Sequence, residues 1–334
     1  MEPDASLSFQ PEPETPTDSS AEAESPFLPG TNIQWAWDAT SIGYLKTCPR
    51  LYRYIMIDGW RGREESVHLY FGQELHTAMQ EYHICRAASL SHEESLYETV
   101  RNLLIRTYGW KTDESTKAGR YKNRGTLVRV VIDVLDNYNL GQEDPAKAYI
   151  KEDGTAAVEL SFRFELDFGP SEVRPYTLCG HLDRVVNFQD DLFVVDYKTT
   201  TTTPGSYYFD QWEPNNQMSL YSLASQVILD SPVKGVIIEA IQIKLEEYPL
   251  TRCVRGFTYR TDAQGEEWLN DLAYWLGLAE HYAENNHWPQ NDTACDKYGG
   301  CQFRKVCSKS PTVRDVFLKA EFTKGERWNP LKTR

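Results

Sequence analysis

Helix-spaced apolar residues dominate the first part of the chain. Residues 40–57 and 71–88 repeat apolar and aromatic positions every three or four residues, so each stretch predicts a helix, and Pro49 predicts a break in the first one. The same spacing between about residues 90 and 140 predicts two or three more helices. We expect this last group to form a helical insertion ahead of a sheet.

Alternation of apolar and polar residues begins near residue 157 and marks the start of that sheet. Residues 157–167 predict a strand, and residues 180–200 predict an antiparallel hairpin around the turn Gln189-Asp190-Asp191. Further along, the pattern predicts a helix at about 216–229, strands at 235–244 and 253–259, and a helix at 266–284. This order of helices and strands is typical of an α/β fold.

The hairpin brings acidic residues together. Asp183 lies seven residues before Asp190, and Asp196 lies six residues after it. Asp183 and Asp196 should therefore face each other across the hairpin. Lys198 shares a strand face with Asp196. Opposed carboxylates repel unless something compensates, and a divalent cation such as Mg²⁺ or Mn²⁺ would do so. The alternative is a solvated hairpin in which Asp183 pairs with Arg184 or Lys198.

Acidic residues are concentrated at the start of the chain. Residues 1–30 are rich in Pro, Ser and Glu and contain seven acidic residues and no Lys or Arg, which predicts a disordered tail. The tail carries half of the net charge of −14, so the remainder is still acidic. Nucleic acid would therefore have to bind at local basic patches rather than in a general basic field.

Two stretches mix basic and aromatic residues. Residues 101–129 include Arg120, Lys122 and Arg124, and residues 304–334 hold nine Lys or Arg against three acids. Such mixtures suit a groove that follows a phosphate backbone and stacks on bases. The alternative is an ordinary solvated helix face.

Neither a membrane span nor a secretory leader is predicted. The chain has no run of about 18 apolar residues, and its first residues lack the basic start and apolar core of a signal peptide. We expect a cytoplasmic protein without membrane contact. The seven cysteines are an odd number, which argues against a disulfide framework in such a chain.

Three cysteines, Cys295, Cys301 and Cys307, are spaced evenly by six residues. Thiols this close in sequence suit a soft metal, and Cys48 is the best candidate for a fourth ligand. The residues alone leave a metal cluster, a structural zinc or free thiols open.

The string GHLDRV…VVDYKTT resembles the D…(D/E)-x-K signature of the PD-(D/E)XK nuclease superfamily. It is most similar to the RecB-like branch, which includes RecB and AddAB nuclease domains and CRISPR-associated spacer-acquisition nucleases. The resemblance covers about residues 40–310 in five ordered pieces. It implies a restriction-endonuclease-like core, with a mixed central sheet flanked by helices.

The resemblance also implies roles for individual residues. Asp183 and Asp196 would bind Mg²⁺ or Mn²⁺ together with His76, which matches a G-x-x-x-H motif, and with the carbonyl of Tyr197. Lys198 would position or activate water. Gln217 and Tyr221 match a Q-x-x-x-Y motif that adjoins the catalytic centre. A lone helical histidine and a Gln–Tyr pair on one helix face are, however, also common in ordinary helices.

For the cysteines, the resemblance implies a [4Fe–4S] cluster bound by Cys48, Cys295, Cys301 and Cys307. The chain departs from the commonest pattern of that branch, in which two of the late cysteines are separated by only two residues. This departure keeps structural zinc open as an alternative to iron–sulfur, with free thiols as the third possibility.

The predicted organisation has three parts. Residues 1–30 form the tail, residues 31–310 the nuclease domain and residues 311–334 a basic C-terminal extension. Within the nuclease domain, residues 90–145 form the helical insertion and residues 289–310 the cysteine loop.

The predicted function is that of a metal-dependent DNA nuclease, an exonuclease acting on DNA ends or single strands, with helicase, recombination or integrase proteins as partners. One alternative is a non-catalytic DNA-end-binding subunit of a recombination, repair or CRISPR-adaptation complex. Another is an interaction protein in which the D-x-K match is accidental.

Overall fold

A mixed sheet forms the centre of the fold and carries helices on both faces. The computed structural model describes residues 24–63, 66–137, 141, 143–169, 174–229, 231–244, 251–296 and 300–332. Its strands are β1 (Ala36–Trp37), β2 (Trp60–Gly62), β3 (Lys147–Ala148), β4 (Val158–Glu165), β5 (Thr177–Phe188), β6 (Asp191–Thr200), β7 (Val233–Ile243), β8 (Thr251–Thr258) and β9 (Phe322–Lys324). Its α-helices are α1 (Ala39–Thr47), α2 (Pro49–Tyr52), α3 (Val67–Ala87), α4 (His92–Arg106), α5 (Lys117–Tyr121), α6 (Arg124–Ile132), α7 (Ser206–Asp210), α8 (Asn216–Leu229), α9 (Asp262–Glu284), α10 (Arg304–Cys307) and α11 (Arg314–Glu321).

The twelve-residue strand β5 organises the sheet. Its first part pairs antiparallel with β4 and its last part antiparallel with β6, while β1 and β3 pair at its two ends. From β6 the sheet continues through parallel β7 to antiparallel β8. The parallel pairing of β6 with β7 needs a crossover connection, which α7 and α8 provide. The predicted mixed sheet flanked by helices is confirmed.

The hairpin between β5 and β6 opens into a fork. The predicted hairpin is confirmed, but its turn is the residue pair Gln189-Asp190, at φ 53° and 68°, because Asp191 already pairs with Phe188. Among the described residues, the ladder between the two strands ends at Arg184–Val195. Beyond that pair the strands diverge. We call the gap between them the fork; Asp183 of β5 and Asp196 of β6 lie there.

Buried side chains from the two faces of the sheet form two separate cores. Helices α3, α4 and α6 cover the face that carries Val186 and Val195. Helices α1, α8 and α9 cover the face that carries Val185 and Val194. Neighbouring residues enter opposite cores because side chains alternate along a strand. With both faces covered, β7 is buried at all but one of its positions, including the polar residues Glu239 and Gln242.

The C-terminal segment returns to the beginning of the described chain. Strand β9 pairs antiparallel with β2, Phe322 stacks on Phe303 at a ring-centroid distance of 4.5 Å, and the Trp328 indole donates to Asp38 at 2.8 Å. Residues 1–23 of the predicted tail lie outside the described residues, and Phe27 in the part that follows is buried. Within the described ranges, no helix is long and apolar enough to cross a membrane.

Candidate active site

Two aspartates lie at the fork and differ in their electrostatics. The side chain of Asp196 is 1% exposed and that of Asp183 is 11% exposed. Burial raises the pKa of Asp196, and the charge of Asp183 adds to the rise against the opposing effect of Lys198. Burial acts on Asp183 in the same direction, but His76 and Lys198 more than offset it and leave its pKa below the ordinary value. Asp183 therefore keeps its charge more readily than Asp196 does.

His76 on α3 joins the two strands of the fork. Its Nδ1 lies 2.9 Å from Asp183 Oδ2, and its Nε2 lies 2.9 Å from the carbonyl oxygen of Tyr197. Both partners accept hydrogen bonds, so both ring nitrogens donate and the ring is an imidazolium in this arrangement. Burial lowers the pKa of His76, but Asp183 and Asp196 outweigh burial and raise it overall. A positive charge thus lies between the candidate metal ligands.

Lys198 is held in one direction by a short chain of hydrogen bonds. Its Nζ donates to Asp196 Oδ1 at 3.0 Å and to Gln217 Oε1 at 2.9 Å. The Gln217 amide in turn donates to the Tyr221 hydroxyl at 2.9 Å. Gln217 and Tyr221 lie one turn apart on α8, so this helix aims the lysine from the side opposite to α3.

A buried ion pair lies behind the fork and supports Tyr197. Arg184 is 1% exposed and donates to Asp144 at 3.0 Å. Its guanidinium also contacts His83, whose Nε2 lies 3.2 Å from the Tyr197 hydroxyl. Burial and the charge of Arg184 hold the pKa of His83 well below its ordinary value, so this ring is neutral. Arg184 therefore pairs with Asp144, and Asp183 pairs with His76 rather than with Arg184.

Glu159 on β4 is a neighbour of the site. By resemblance it matches in place the glutamate that often opens the core sheet of the RecB-like branch, although the strand pattern favours a solvent-facing residue. It has a φ of 50° at the second position of the strand, which is a strained backbone for a residue with a side chain. Its charge helps to raise the pKa of the Tyr221 hydroxyl, after burial and the charges of Asp183 and Asp196. The alternating pattern of β4 alone favours an ordinary solvent-facing glutamate, so only the resemblance pointed to this residue.

Sequence reasoning missed the aromatic residues after β6. Lys198 Nζ lies 5.3 Å from the ring centroid of Trp212. Burial, helped by the charge of Asp196, raises the pKa of Tyr208 to about 12. Tyr207 is 89% exposed. The signal available in the sequence was the density of aromatic residues in YYFDQW, directly after the Thr-rich loop.

The three basic residues predicted to bind DNA have different surroundings. Arg120 is exposed. Arg124 donates to the Leu104 carbonyl at 3.1 Å and to the Thr107 hydroxyl at 3.3 Å, so its guanidinium caps the end of α4. Lys122 is buried and donates to Thr199, the residue after Lys198, at 2.9 Å.

Four cysteines line one cavity. They are Cys48, Cys295, Cys301 and Cys307, with Leu51, Tyr54 and Phe303 among the surrounding side chains. The Asn291 backbone N–H donates to Cys48 Sγ at 3.3 Å and ties the late segment to the early one. Burial raises the pKa of the Cys301 and Cys307 thiols. In the described part of the chain, no three His, Cys, Asp or Glu side chains form a ready cage for a single ion.

Comparison with known proteins identifies the class. The sequence profile of the PD-(D/E)XK nuclease superfamily matches residues 36–308, and the chain belongs to that superfamily. A crystal structure of a "Putative exonuclease" from Eubacterium rectale is similar, with a TM-score of 0.49 and 12% sequence identity. The match covers 84% of this chain and 91% of that chain. No curated protein matches the sequence significantly.

Proposed function

We propose that the protein is a metal-dependent DNA nuclease of the RecB-like branch, acting as an exonuclease on DNA ends or single strands. The observation that carries this proposal is the hydrogen-bonded set at the fork. There Asp183, Asp196 and Lys198 converge with His76 in a chain of a nuclease superfamily. All three residues of the D…D-x-K signature are present, which favours a catalytic protein over a degenerate relative.

The donor set fits Mg²⁺ or Mn²⁺. Asp196 is buried, and its Oδ2 lies 2.7 Å from Lys198 Nζ in an ion pair. Carboxylate and carbonyl oxygens are the ligands that Mg²⁺ and Mn²⁺ prefer. Mg²⁺ is usually held by one or two carboxylates, water and substrate phosphate, so a complete protein cage is not required. Asp183, Asp196, His76 and the Tyr197 carbonyl would hold the ion.

The protein's own groups have separable tasks in this mechanism. A bound metal would polarise the scissile phosphate and lower the pKa of a bound water. Lys198 would orient that water and offset the charge that develops on the phosphate. Gln217 keeps the lysine amine directed to the site. His76 would have to release a proton before it could bind a cation through a ring nitrogen.

The test is cleavage of end-labelled single- and double-stranded DNA in Mg²⁺ or Mn²⁺. Asp196→Asn keeps the shape of the side chain and should reduce cleavage by about a thousandfold or more. Asp190→Asn removes an exposed carboxylate from the turn of the same hairpin and should leave cleavage unchanged. If the wild type binds DNA and does not cut it, the DNA-end-binding alternative replaces this proposal. If it neither binds nor cuts DNA, the D-x-K match is accidental.

We further propose a structural [4Fe–4S] cluster bound by the four cysteines that share the cavity. Four thiols around a mainly apolar cavity suit thiolate ligation of an iron–sulfur cluster, with structural zinc as the alternative. Iron and acid-labile sulfide should be present in protein purified without oxygen. Zinc alone would establish the structural-zinc alternative. If the protein contains neither iron nor zinc, the four thiols are free.

A further inference from the structure

Lys122 is a buried amine beside the strand that carries Asp196 and Lys198. It lies between α5 and α6 and is only 6% exposed. Its Nζ donates to the Thr199 hydroxyl at 2.9 Å and lies 5.4 Å from the ring centroid of Phe71. No carboxylate of the described residues pairs with it, and burial without a compensating charge lowers its pKa to about 8. Lysine is rarely buried to this degree without a partner.

The fold alone does not account for this amine. One neutral hydroxyl compensates only a small part of the cost of burying an ammonium group. An apolar side chain would fill the same space against Phe71 without that cost. The position therefore reduces stability, and residues of that kind are commonly retained for binding or catalysis.

The surroundings of Lys122 offer hydrogen-bond donors for an anion. Thr199 lies two residues beyond Tyr197 on β6, which is about 7 Å along the strand. His68, in the first turn of α3, is exposed. Burial and the charge of Lys122 lower the pKa of His68. An anion that reached Lys122 would meet its amine and the Thr199 hydroxyl.

We propose that Lys122 and Thr199 bind the phosphate adjacent to the scissile one in a nucleic-acid strand that enters the fork. This inference rests on the proposed nuclease function and adds a second phosphate contact to it. A phosphodiester has acceptors only and a full negative charge, so it supplies what the amine lacks in the protein. Thr199 shares a strand face with Tyr197, on the side of α3, and lies about 7 Å from it along β6, which suits a neighbouring phosphate that passes on that side of the fork. Because it contacts a non-reacting phosphate, Lys122 is a binding residue in this proposal.

The experiment compares the full-length wild type with Lys122→Met, Lys122→Arg and Lys117→Met. Lys117 is an exposed lysine of the same basic stretch and serves as the matched control. Affinity for a labelled single-stranded oligonucleotide is measured by fluorescence anisotropy in Ca²⁺, and the oligonucleotide is recovered to verify that it is intact. The series includes oligonucleotides in which one phosphate at a time is replaced by a neutral methylphosphonate. Unfolding temperatures and cleavage in Mg²⁺ are recorded in parallel.

Lys122→Met should weaken binding by about tenfold and reduce the salt dependence by about one phosphate contact, whereas Lys122→Arg and Lys117→Met should stay close to the wild type. One methylphosphonate, next to the cleaved bond, should weaken binding of the wild type and have no further effect on Lys122→Met. Because the variant should be at least as stable as the wild type, the loss of affinity cannot come from unfolding.

Two results would overturn this inference and leave the proposed nuclease function standing, provided that the wild type still cleaves DNA. The first is that Lys122→Met binds the oligonucleotide as tightly as the wild type. The second is that each methylphosphonate weakens binding of the wild type and of Lys122→Met equally. If the wild type neither binds nor cleaves any of the oligonucleotides, the proposed function fails together with it.

Discussion

At the scale of single residues, the fork contains a buried ion pair. Asp196 is buried, and Lys198 is the cation in its ion pair. Removing only the cation leaves a buried carboxylate uncompensated, which typically costs about 3 kcal/mol. We therefore expect Lys198→Met to lower the free energy of unfolding by about that amount in EDTA.

The double variant Asp196→Asn/Lys198→Met removes the charge that Lys198 compensates. It should regain most of the lost stability, which urea denaturation of both variants would measure. If the single and double variants are equally destabilised, the loss comes from packing of the lysine chain and the ion-pair argument is wrong.

Lys122 gives a second prediction for a single residue, about how the free energy of unfolding depends on pH. Its pKa of about 8 in the folded protein lies below the ordinary 10.5, so its protonated form destabilises the fold. This penalty is complete below about pH 8 and fades as the pH rises towards 10.5, where the unfolded chain also loses the proton. Lys122→Met should therefore be more stable than the wild type by roughly 3 kcal/mol at pH 7 and by little at pH 10. Denaturation at the two pH values measures the difference, and an equal gain at both would contradict it.

Among the elements, the hairpin turn carries avoidable strain. Gln189 and Asp190 both have positive φ, as a two-residue hairpin turn of this hand requires, and Asn-Gly is the sequence that adopts it most readily. The double substitution Gln189→Asn/Asp190→Gly should raise the free energy of unfolding by about 1 kcal/mol. Thermal unfolding measures this gain, and cleavage should not change because both side chains are exposed. A lower unfolding temperature would show that the native side chains stabilise the turn.

The elements differ in how far the sequence predicts them. Periodicity placed β4, β7, α8 and the hairpin correctly within a few residues, because local spacing decides which face of an element is buried. Counting from the turn predicted Asp183 opposite Asp196, but among the described residues the ladder ends one pair earlier, at Arg184–Val195. The divergence of β5 and β6 beyond Arg184 could not be predicted, because it depends on how distant strands compete for pairing with β5.

The residues of the candidate site also could not be found from local sequence patterns alone. His76, Gln217 and Tyr221 were found through motif resemblance, since spacing on a helix does not reveal which side chain will reach a strand. The burial of Lys122 against Thr199 and the contact of Trp212 with Lys198 arise only when α5 and the segment after β6 pack on the sheet. Contacts between elements far apart in sequence leave no local pattern.

Across the whole molecule, the cysteine cavity and the fork are joined through α1 and α8. Lys46, near the end of α1, donates to Asn216 at 3.1 Å, and Asn216 also accepts from the Trp268 indole at 3.2 Å. Cys48 follows α1 directly, and Gln217 follows Asn216. The segment after α9 contacts the same region, since Arg50 donates to the Trp288 carbonyl at 3.2 Å. The cysteine region therefore braces the helix that aims Lys198, without contributing a group to the fork.

This arrangement predicts that loss of the proposed cluster affects stability more than cleavage. Cys301→Ala removes one proposed ligand, so it should abolish iron binding and lower the unfolding temperature by about 10 °C or more, because metal binding contributes directly to folding. At a temperature where the variant is still folded, the cleavage rate per folded molecule should stay within about tenfold of the wild type, since Asp183, Asp196 and Lys198 are intact. Cys85→Ala, a cysteine outside the cavity, is the matched control. If Cys301→Ala kept its unfolding temperature and lost cleavage completely, the cysteines would have to act on the substrate or the catalytic metal, because bracing through α1 and α8 cannot produce that result.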